Sequence, residues 1–368
     1  MKIINIILTS QNGGAEQVFI DYLIVLKNLG HEVLAVVKQD APYADKISSL
    51  GIAVKKISNR FGEHDIFAVK ELQKILQDFS PMSVIAHVGR SVVLSKKAIK
   101  KFPNHKIFLI AVNHSNNVKR SIGADLIFSV NSTIFAQTID AGQSEDSSFV
   151  IPNAIDTADI ESNHFDVDLS KKNQINIGAL GRFDRTKGFD VLIKAIDYLN
   201  KISQENKSGR TFKLLLAGSG YYEKNLTDLV KDLNLQDKVI FKKWINDKKS
   251  FFSEFDIFCL PSKNETFGLV LLEAMKYRKP IVASNSEGPK EIISDNKDGL
   301  IFDFYPEDKN HENLANKIIK LIEDRSLANQ LVNNANRKLI NRYSLTSLEL
   351  RLKEIFGPTN SKVNATSA

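Results

Sequence analysis

The stretch Pro261-Ser262-Lys263-Asn264-Glu265-Thr266-Phe267-Gly268-Leu269-Val270-Leu271-Leu272-Glu273-Ala274-Met275 lies between two apolar runs, Ile257-Phe258-Cys259-Leu260 and Pro280-Ile281-Val282-Ala283. β-Formers end at Pro261, a polar loop follows, and helix-formers continue to Met275, so the segment reads as strand, loop, helix, strand. In an open parallel sheet, ligands bind where strands end and helices begin, and the loop therefore opens onto a site. Glu265 lies in that loop and Glu273 in the helix that follows. Carboxylates accept hydrogen bonds from sugar hydroxyls, and the N–H groups around Phe267, Gly268 and Leu269 would receive a phosphate or a polar sugar edge. Gly268 would let a ligand approach the backbone closely. Taken alone, the same spacing fits an exposed helix whose glutamates are merely solvated.

Outward from this corner, the length of 368 residues exceeds what one hydrophobic core usually covers, and two domains are expected. With 43% hydrophobic and 25% charged residues the composition is that of an ordinary soluble globular protein, not a disordered or fibrous one. A single cysteine, Cys259, has no internal disulfide partner and sits in an apolar strand, where it reads as a small buried hydrophobe of a cytosolic protein. The opening Ile3-Ile4-Asn5-Ile6-Ile7-Leu8 is short, carries Asn5 and runs into Ser10-Gln11-Asn12-Gly13-Gly14 without a cleavage site, so it reads as a first strand and not as a secretory segment. No apolar run approaches the length that spans a bilayer. A net charge of +7 invites anionic partners: nucleic acid, nucleotide phosphates or an acidic membrane surface. The basic residues are interspersed with acids, which weakens that signal, and no nucleic-acid partner is expected on the reading reached below.

From Lys2 to about Pro152, strands at Ile3–Leu8, Glu32–Val37, Ala53–Ile57, Ser83–His87, Lys106–Val112, Leu126–Val130 and Phe149–Ile151 alternate with helical patterns, which implies βαβ units. Gly13-Gly14-Ala15-Glu16 follows the first strand and precedes a helix, where the backbone would approach a phosphate or sugar or simply turn. His87 and His114 each end a strand. Alternation resumes at Ile175–Leu180, Phe212–Ala217, Val239–Phe241, Asp256–Leu260, Ile281–Ala283 and Leu300–Phe302. Between the halves, polar sequence over 153–173 reads as a linker, and its Asp166-Val167-Asp168 reads as solvated acids, so no metal site is expected. After the first strand of the second half, Gly181-Arg182-Phe183-Asp184-Arg185-Thr186-Lys187-Gly188 carries two cations that would bear on one dianion. Gly218-Ser219-Gly220 is an incomplete dinucleotide fingerprint, without the third glycine or the expected acid. Ser91 to Phe102 reads as a helix with Lys96, Lys97, Lys100 and Lys101 on one side, a face suited to an anionic leaflet or simply to solvent.

Glu265-Thr266-Phe267-Gly268-Leu269 with Glu273-Ala274, preceded by Pro261-Ser262, resembles the E-x7-E signature of retaining glycosyltransferases of family 4, the group 1 type. The resemblance extends over nearly the whole chain. Gly181-Arg182 to Lys187-Gly188 resembles that family's G-R-x(4)-K-G loop, Val150-Ile151-Pro152-Asn153-Ala154 its domain junction with alanine where glycine is usual, and Val239 to Lys243 its strand beside the base, with Lys243 where glycine is usual. The resemblance implies an α/β fold of two Rossmann-like domains facing a central cleft, the GT-B architecture. Its segments would be an acceptor domain over 1–152, the linker, a nucleotide-sugar domain over 174–340, a helix over 341–358 crossing back to the first domain, and a disordered tail over 359–368. It further implies a metal-independent retaining transferase with a UDP- or GDP-linked sugar as donor, a saccharide or lipid-linked acceptor, no cofactor, and a cytoplasmic location that is peripheral on the inner membrane where the acceptor requires it. Arg182 and Lys187 would hold the diphosphate and Glu265 the sugar hydroxyls. Glu273 would hold the ribose, and Gly218 would line the nucleotide pocket. Phe267, Gly268 and Leu269 would supply amides, with Gly13 and Gly14 closing from the opposite domain. His114, after the strand where similar enzymes carry a histidine facing the transferred sugar, joins Glu265 as a catalytic candidate, and His87 is an acceptor-side candidate. A sugar-nucleotide epimerase, a phosphorylase and a non-catalytic nucleotide-sugar module use or fit the same fold; a nicotinamide-dependent oxidoreductase should show a complete glycine fingerprint, which is absent.

Overall fold

A computed structural model describes residues 1–104, 106–160, 166–243, 245 and 247–356. The tail over 359–368, expected to be disordered, lies outside the described residues. The chain divides into two units, one formed by Met1–Asp156 with the segment from Arg342 onward, the other by Thr157–Asn341.

The first unit runs β1 (Lys2–Ile7), α1 (Gly14–Asn28), β2 (Glu32–Lys38), α2 (Ala44–Ser49), β3 (Ala53–Ile57), α3 (Ile66–Phe79), β4 (Ser83–His87), α4 (Val88–Ile99), β5 (Phe108–Asn113), β6 (Leu126–Ser129), α5 (Ser132–Asp140) and β7 (Ser148–Val150). Its seven strands are parallel, in the order β3-β2-β1-β4-β5-β6-β7. The central strands β4, β5 and β6 are buried along their whole length, as expected of a sheet covered by helices on both faces, where apolar runs are continuous and do not alternate.

The second unit runs β8 (Gln174–Leu180), α6 (Phe189–Glu205), β9 (Thr211–Ala217), α7 (Glu223–Asp232), β10 (Val239–Lys242), α8 (Lys248–Ser253), β11 (Ile257–Leu260), α9 (Leu269–Lys276), β12 (Ile281–Ser284), α10 (Glu287–Ile292), β13 (Leu300–Phe302), α11 (Asn310–Glu323) and α12 (Arg325–Arg342). Six parallel strands lie in the order β10-β9-β8-β11-β12-β13. The last helix, α13 (Leu345–Phe356), belongs to the first unit and packs against α1, and Ile155 pairs with Ser344 just before it.

In both sheets the order of strands reverses beside the first strand, between β1 and β4 and between β8 and β11. At such a reversal the flanking loops leave in opposite directions, and the crevice at the carboxyl ends of the strands is where ligands bind.

Two segments differ from the sequence expectation. Within the stretch expected as a linker, Val167 and Leu169 are buried in the core of the second unit, because the apolar residues alternate with Asp166 and Asp168 and turn their side chains inward. The lysine-bearing helix expected over 91–102 is α4, which starts at Val88 directly after β4 with no intervening loop and ends at Ile99. Lys96 donates to the carbonyl oxygens of Arg120 and Ile122, and Lys97 to that of Glu63, so half of the expected cationic face is spent on the fold's own backbone.

Candidate functional site

At the second reversal, the loop after β8 and the loop after β11 are tied to each other. Asp184 accepts from the N–H and hydroxyl of Thr186 at 2.9 and 2.8 Å, which closes a short 3₁₀ turn over Arg185–Lys187. The carbonyl of Thr186 then accepts from Lys263 N at 2.8 Å and Asn264 N at 3.3 Å. Gly188, which ends this turn and caps α6, has a left-handed φ of 65°, and a Cβ there would stand 2.1 Å from the carbonyl oxygen of Pro261. Only glycine permits that approach.

The result is a contact between distant residues. Lys187 Nζ donates to Glu265 Oε2 at 2.6 Å, with side chains 20% and 14% exposed. Ser262 Oγ lies 3.5 Å from the same oxygen. The backbone of Glu265 is held as well, since its carbonyl accepts from Gly288 N at 2.7 Å. An ammonium has three donors and a carboxylate about four acceptor positions, so each partner keeps capacity for a ligand. Arg182, in the same loop after β8, has a largely exposed side chain with its Nε 3.9 Å from Asp184 Oδ2.

Gly268 caps α9, and a Cβ there would stand 3.4 Å from Glu265 Cγ, so the start of α9 packs near the stem of that side chain. Phe267 is buried, with its backbone against Gly288. Gly218 ends β9 with a φ of 143°, and a Cβ there would fall 1.9 Å from Gly181 O, so the β8 and β9 loops meet at this point. The two glutamates of the E-x7-E spacing are separately partnered. Glu273, on α9, receives Lys248 Nζ at 2.9 and 3.2 Å. Lys248 is the first residue of α8, whose N-cap Asp247 accepts from Ser250 N. Nothing in the local sequence around Glu273 pointed to it. Asp166 and Asp168 both pair with Arg325, the latter at 3.3 Å, and Asp168 also meets Lys171 at 3.3 Å, so two cations face the two carboxylates.

At the first reversal, Glu16 is buried and takes Thr9 Oγ1 at 2.6 Å and Gly13 N at 2.9 Å, with Thr9 in turn 3.1 Å from the hydroxyl of Tyr43. The Gly13 amide, expected to face a ligand, is therefore used as one half of a capping box, and Gly14 is the first residue of α1. A serine or threonine cap is missing at Gly13, and the glutamate at N3 takes its N–H.

Beside it, the two histidines singled out separately form a pair. His87 Nδ1 and His114 Nε2 are 3.0 Å apart, with stacked rings. His87 is fully buried and meets the rings of Phe19 and Tyr22 edge to face. The next residue, Val88, has a φ of 61°, a conformation a β-branched residue rarely adopts and one that marks strain at this turn. Burial pushes His114 down to about 4 and His87 well below the usual histidine range, so both are neutral at pH 7. In a neutral pair one nitrogen donates and the other accepts. His87 Nε2 is buried with no partner among the described residues, and an orphaned N–H costs more than an orphaned lone pair. The favoured arrangement puts the His87 proton on Nδ1, donating to His114 Nε2, and leaves the His114 proton on Nδ1.

Two parallel-sheet α/β units, each with its polar loops at the strand reversal, define the GT-B class of fold. Residues 160–338 match the family described as Glycosyl transferases group 1. Through this region, just under half of its length, the chain is similar to the group 1 glycosyl transferases. Among curated relatives, the lipopolysaccharide core biosynthesis glycosyltransferase LpsE of Rhizobium meliloti (strain 1021) is 31% identical over 45% of this chain and 45% of its own length. LpsD of the same organism is 23% identical over 94% of each chain. The chain thus spans about half the length of LpsE and nearly all of LpsD. Among solved structures, Anabaena Alr3699/HepE in complex with UDP and glucose superposes with a TM-score of 0.80 at 21% identity, covering 96% of this chain and 98% of that one.

Proposed function

We propose that this chain is a retaining glycosyltransferase that moves a sugar from a UDP- or GDP-linked donor to a saccharide or lipid-linked acceptor in lipopolysaccharide or cell-envelope polysaccharide synthesis. The observation that carries the reading is the Lys187–Glu265 pair at 2.6 Å across the reversal between β8 and β11. It sets a cation for a leaving diphosphate and an acceptor for sugar hydroxyls side by side at the crevice where such sheets bind ligands. The names of LpsE and LpsD supply the biosynthetic setting, and the HepE complex with UDP and glucose supports a nucleotide-sugar donor.

Breaking the anomeric bond builds negative charge on the departing diphosphate. Lys187, with donors to spare beyond Glu265, and the exposed Arg182 stabilise that charge electrostatically, a task that in other enzymes falls to a metal ion. Glu265 holds the sugar hydroxyls with the acceptor capacity Lys187 leaves free. Glu273, fixed by Lys248, takes the ribose, and Gly268 and Leu269 supply amides at the start of α9. The first unit receives the acceptor, with His114 presenting its Nδ1–H toward the transferred sugar. No side-chain nucleophile is assigned. Among the described residues no helix is long and apolar enough to cross a membrane. A peripheral position on the cytoplasmic face of the inner membrane is proposed.

The test is acceptor-dependent release of free nucleoside diphosphate from a nucleotide sugar, with inversion or retention read from the product's anomeric signal. A binding module would hold the nucleotide sugar without releasing it. An epimerase would release product sugars without an acceptor.

A further inference from the structure

The first unit holds a polar hollow of about 420 Å³ that the donor chemistry does not use. It lies between the 61–64 segment, the start of α4 and the loop after β5, and its wall includes Ser115, the residue after His114.

The hollow is built before any ligand arrives. Asp65 is buried, and its carboxylate accepts from four backbone N–H groups, those of Arg60, Phe61, Phe67 and Ala68, at 2.8 to 3.1 Å. Asn59 Nδ2 donates to Gly62 O at 2.7 Å, and Lys97 Nζ to Glu63 O at 2.7 Å. These bonds fix the 59–65 loop against α4.

Two arginines line the space. Arg120 runs over Gly89, where a Cβ would stand 2.6 Å from its Cδ, so the missing side chain at 89 is what gives Arg120 its path. Its Nε is held by Glu63 Oε2 at 2.5 Å. A guanidinium anchored through Nε keeps its two terminal nitrogens for a second, bidentate partner. Arg120 also holds the Glu63 carboxyl below the usual range, so this acid is ionised and its charge is matched. Arg90 lines the same hollow, is exposed and has no hydrogen-bond or ion-pair partner among the described residues. His64, largely exposed, adds a third donor, with Nε2 3.7 Å from Glu63 Oε1. The excess charge of the hollow therefore comes from Arg90. At its rim Phe61 is 67% exposed, an apolar ring that the loop's hydrogen bonds hold in solvent.

We infer that this hollow binds a phosphoryl group carried by the acceptor, held between the Arg120 terminal nitrogens and Arg90, with Phe61 beside whatever the phosphate is attached to. The inference rests on the proposed transferase reading for the word acceptor, and its binding test does not depend on turnover. A soluble phosphorylated saccharide and a lipid-borne phosphate share this chemistry; glucose 1-phosphate and farnesyl phosphate stand for the two sources.

Binding of inorganic pyrophosphate, glucose 1-phosphate and farnesyl phosphate to the full chain is measured by calorimetry for wild type, Arg90→Gln, Arg90→Gln/Arg120→Gln and Arg182→Gln/Lys187→Gln. Arg90→Gln is the variant that leaves the described hydrogen bonds intact. The expected result is two pyrophosphate sites in wild type. Arg90→Gln weakens one of them at least fivefold, the double variant abolishes it, and neither changes the other. Arg182→Gln/Lys187→Gln should do the reverse; if it alone changed nothing, the donor assignment would fail while the hollow stood. Loss of farnesyl phosphate binding on Phe61→Ser, with glucose 1-phosphate binding retained, would assign a lipid-borne phosphate, and loss of neither a soluble one. Unchanged affinity for all three probes in a folded Arg90→Gln/Arg120→Gln variant overturns the inference.

Discussion

Replacing Lys187 with alanine removes the cation from the Lys187–Glu265 pair, and the consequence can be worked from its surroundings. Both side chains are about four-fifths buried, and Glu265 would keep Ser262 Oγ, at 3.5 Å, as its remaining side-chain neighbour. Two effects follow. In turnover, loss of a charge-assisted hydrogen bond to the leaving diphosphate removes roughly 1.5–3 kcal/mol of transition-state stabilisation, or about 10- to 100-fold in kcat/KM. In stability, a largely but not fully buried carboxylate left without its cation costs about 1–3 kcal/mol, below the range for a fully buried pair. Lys187→Ala/Glu265→Gln should recover most of the stability loss, since the orphaned charge is gone, and none of the activity. Nucleoside diphosphate release by a coupled assay gives the first quantity and thermal unfolding the second. Adding Arg182→Ala, whose side chain is largely exposed, should deepen the activity loss with little further effect on unfolding. Wild-type turnover in a folded Arg182→Ala/Lys187→Ala variant would refute the reasoning.

Four further outcomes are expected. Burial pushes Asp21 up to about 7 against the opposing Gln17 hydrogen bond, so between 3.8 and 7 the folded form binds the extra proton and stability falls as pH rises; Asp21→Asn should stabilise the first unit at pH 8, by roughly 4 kcal/mol at most, and give no gain at pH 3.5 in thermal melts. His114 has the opposite sense: its lowered value means the unfolded chain takes up the proton first, so its contribution is present above 6.5 and lost as pH falls toward 4, and His87→Phe should shift the His114 tautomer seen by nitrogen-15 NMR away from Nδ1–H, an unchanged tautomer excluding the paired role. EDTA should leave turnover nearly unchanged, and restoration of a lost activity by Mn²⁺ or Mg²⁺ would return attention to Asp166 and Asp168. Because Lys96 and Lys97 are engaged by backbone carbonyls, Lys100→Gln/Lys101→Gln should account for most of any salt-sensitive binding to anionic vesicles, and equal binding to neutral vesicles would exclude a charge-driven attachment.

The fold was legible where burial on both faces forces continuous apolar runs, as in Phe108–Asn113 and Ile257–Leu260, because such runs admit few alternatives once their lengths are those of strands. It was misread where polar and apolar residues alternate briefly: Val167 and Leu169 looked like linker because two inward side chains among acids carry little signal. The start of α4 was missed since Val88-Gly89 carries no cap, and the helix opens on a strained valine. In the site, each glutamate and each loop cation was visible as a residue type at a spacing. Their partnerships were not, because Lys187 and Glu265 are 78 positions apart, Lys248 and Glu273 are 25, and His87 and His114 are 27. These contacts depend on which strands neighbour each other, and the order β8-β11 and β4-β5 is a property of the sheet. The use of the Gly13 amide has the same origin: the paired glycines suggested a ligand or a simple turn, and the buried Glu16 side chain takes the Gly13 N–H.

The most direct test of the central claim is equilibrium binding of a panel of labelled UDP- and GDP-sugars to the wild-type chain and to Arg182→Ala/Lys187→Ala. The account predicts that at least one nucleotide sugar binds, that the double variant weakens it at least tenfold, and that Glu265→Gln weakens the nucleotide sugar more than the free nucleoside diphosphate. Equal affinity in wild type and the double variant would contradict it.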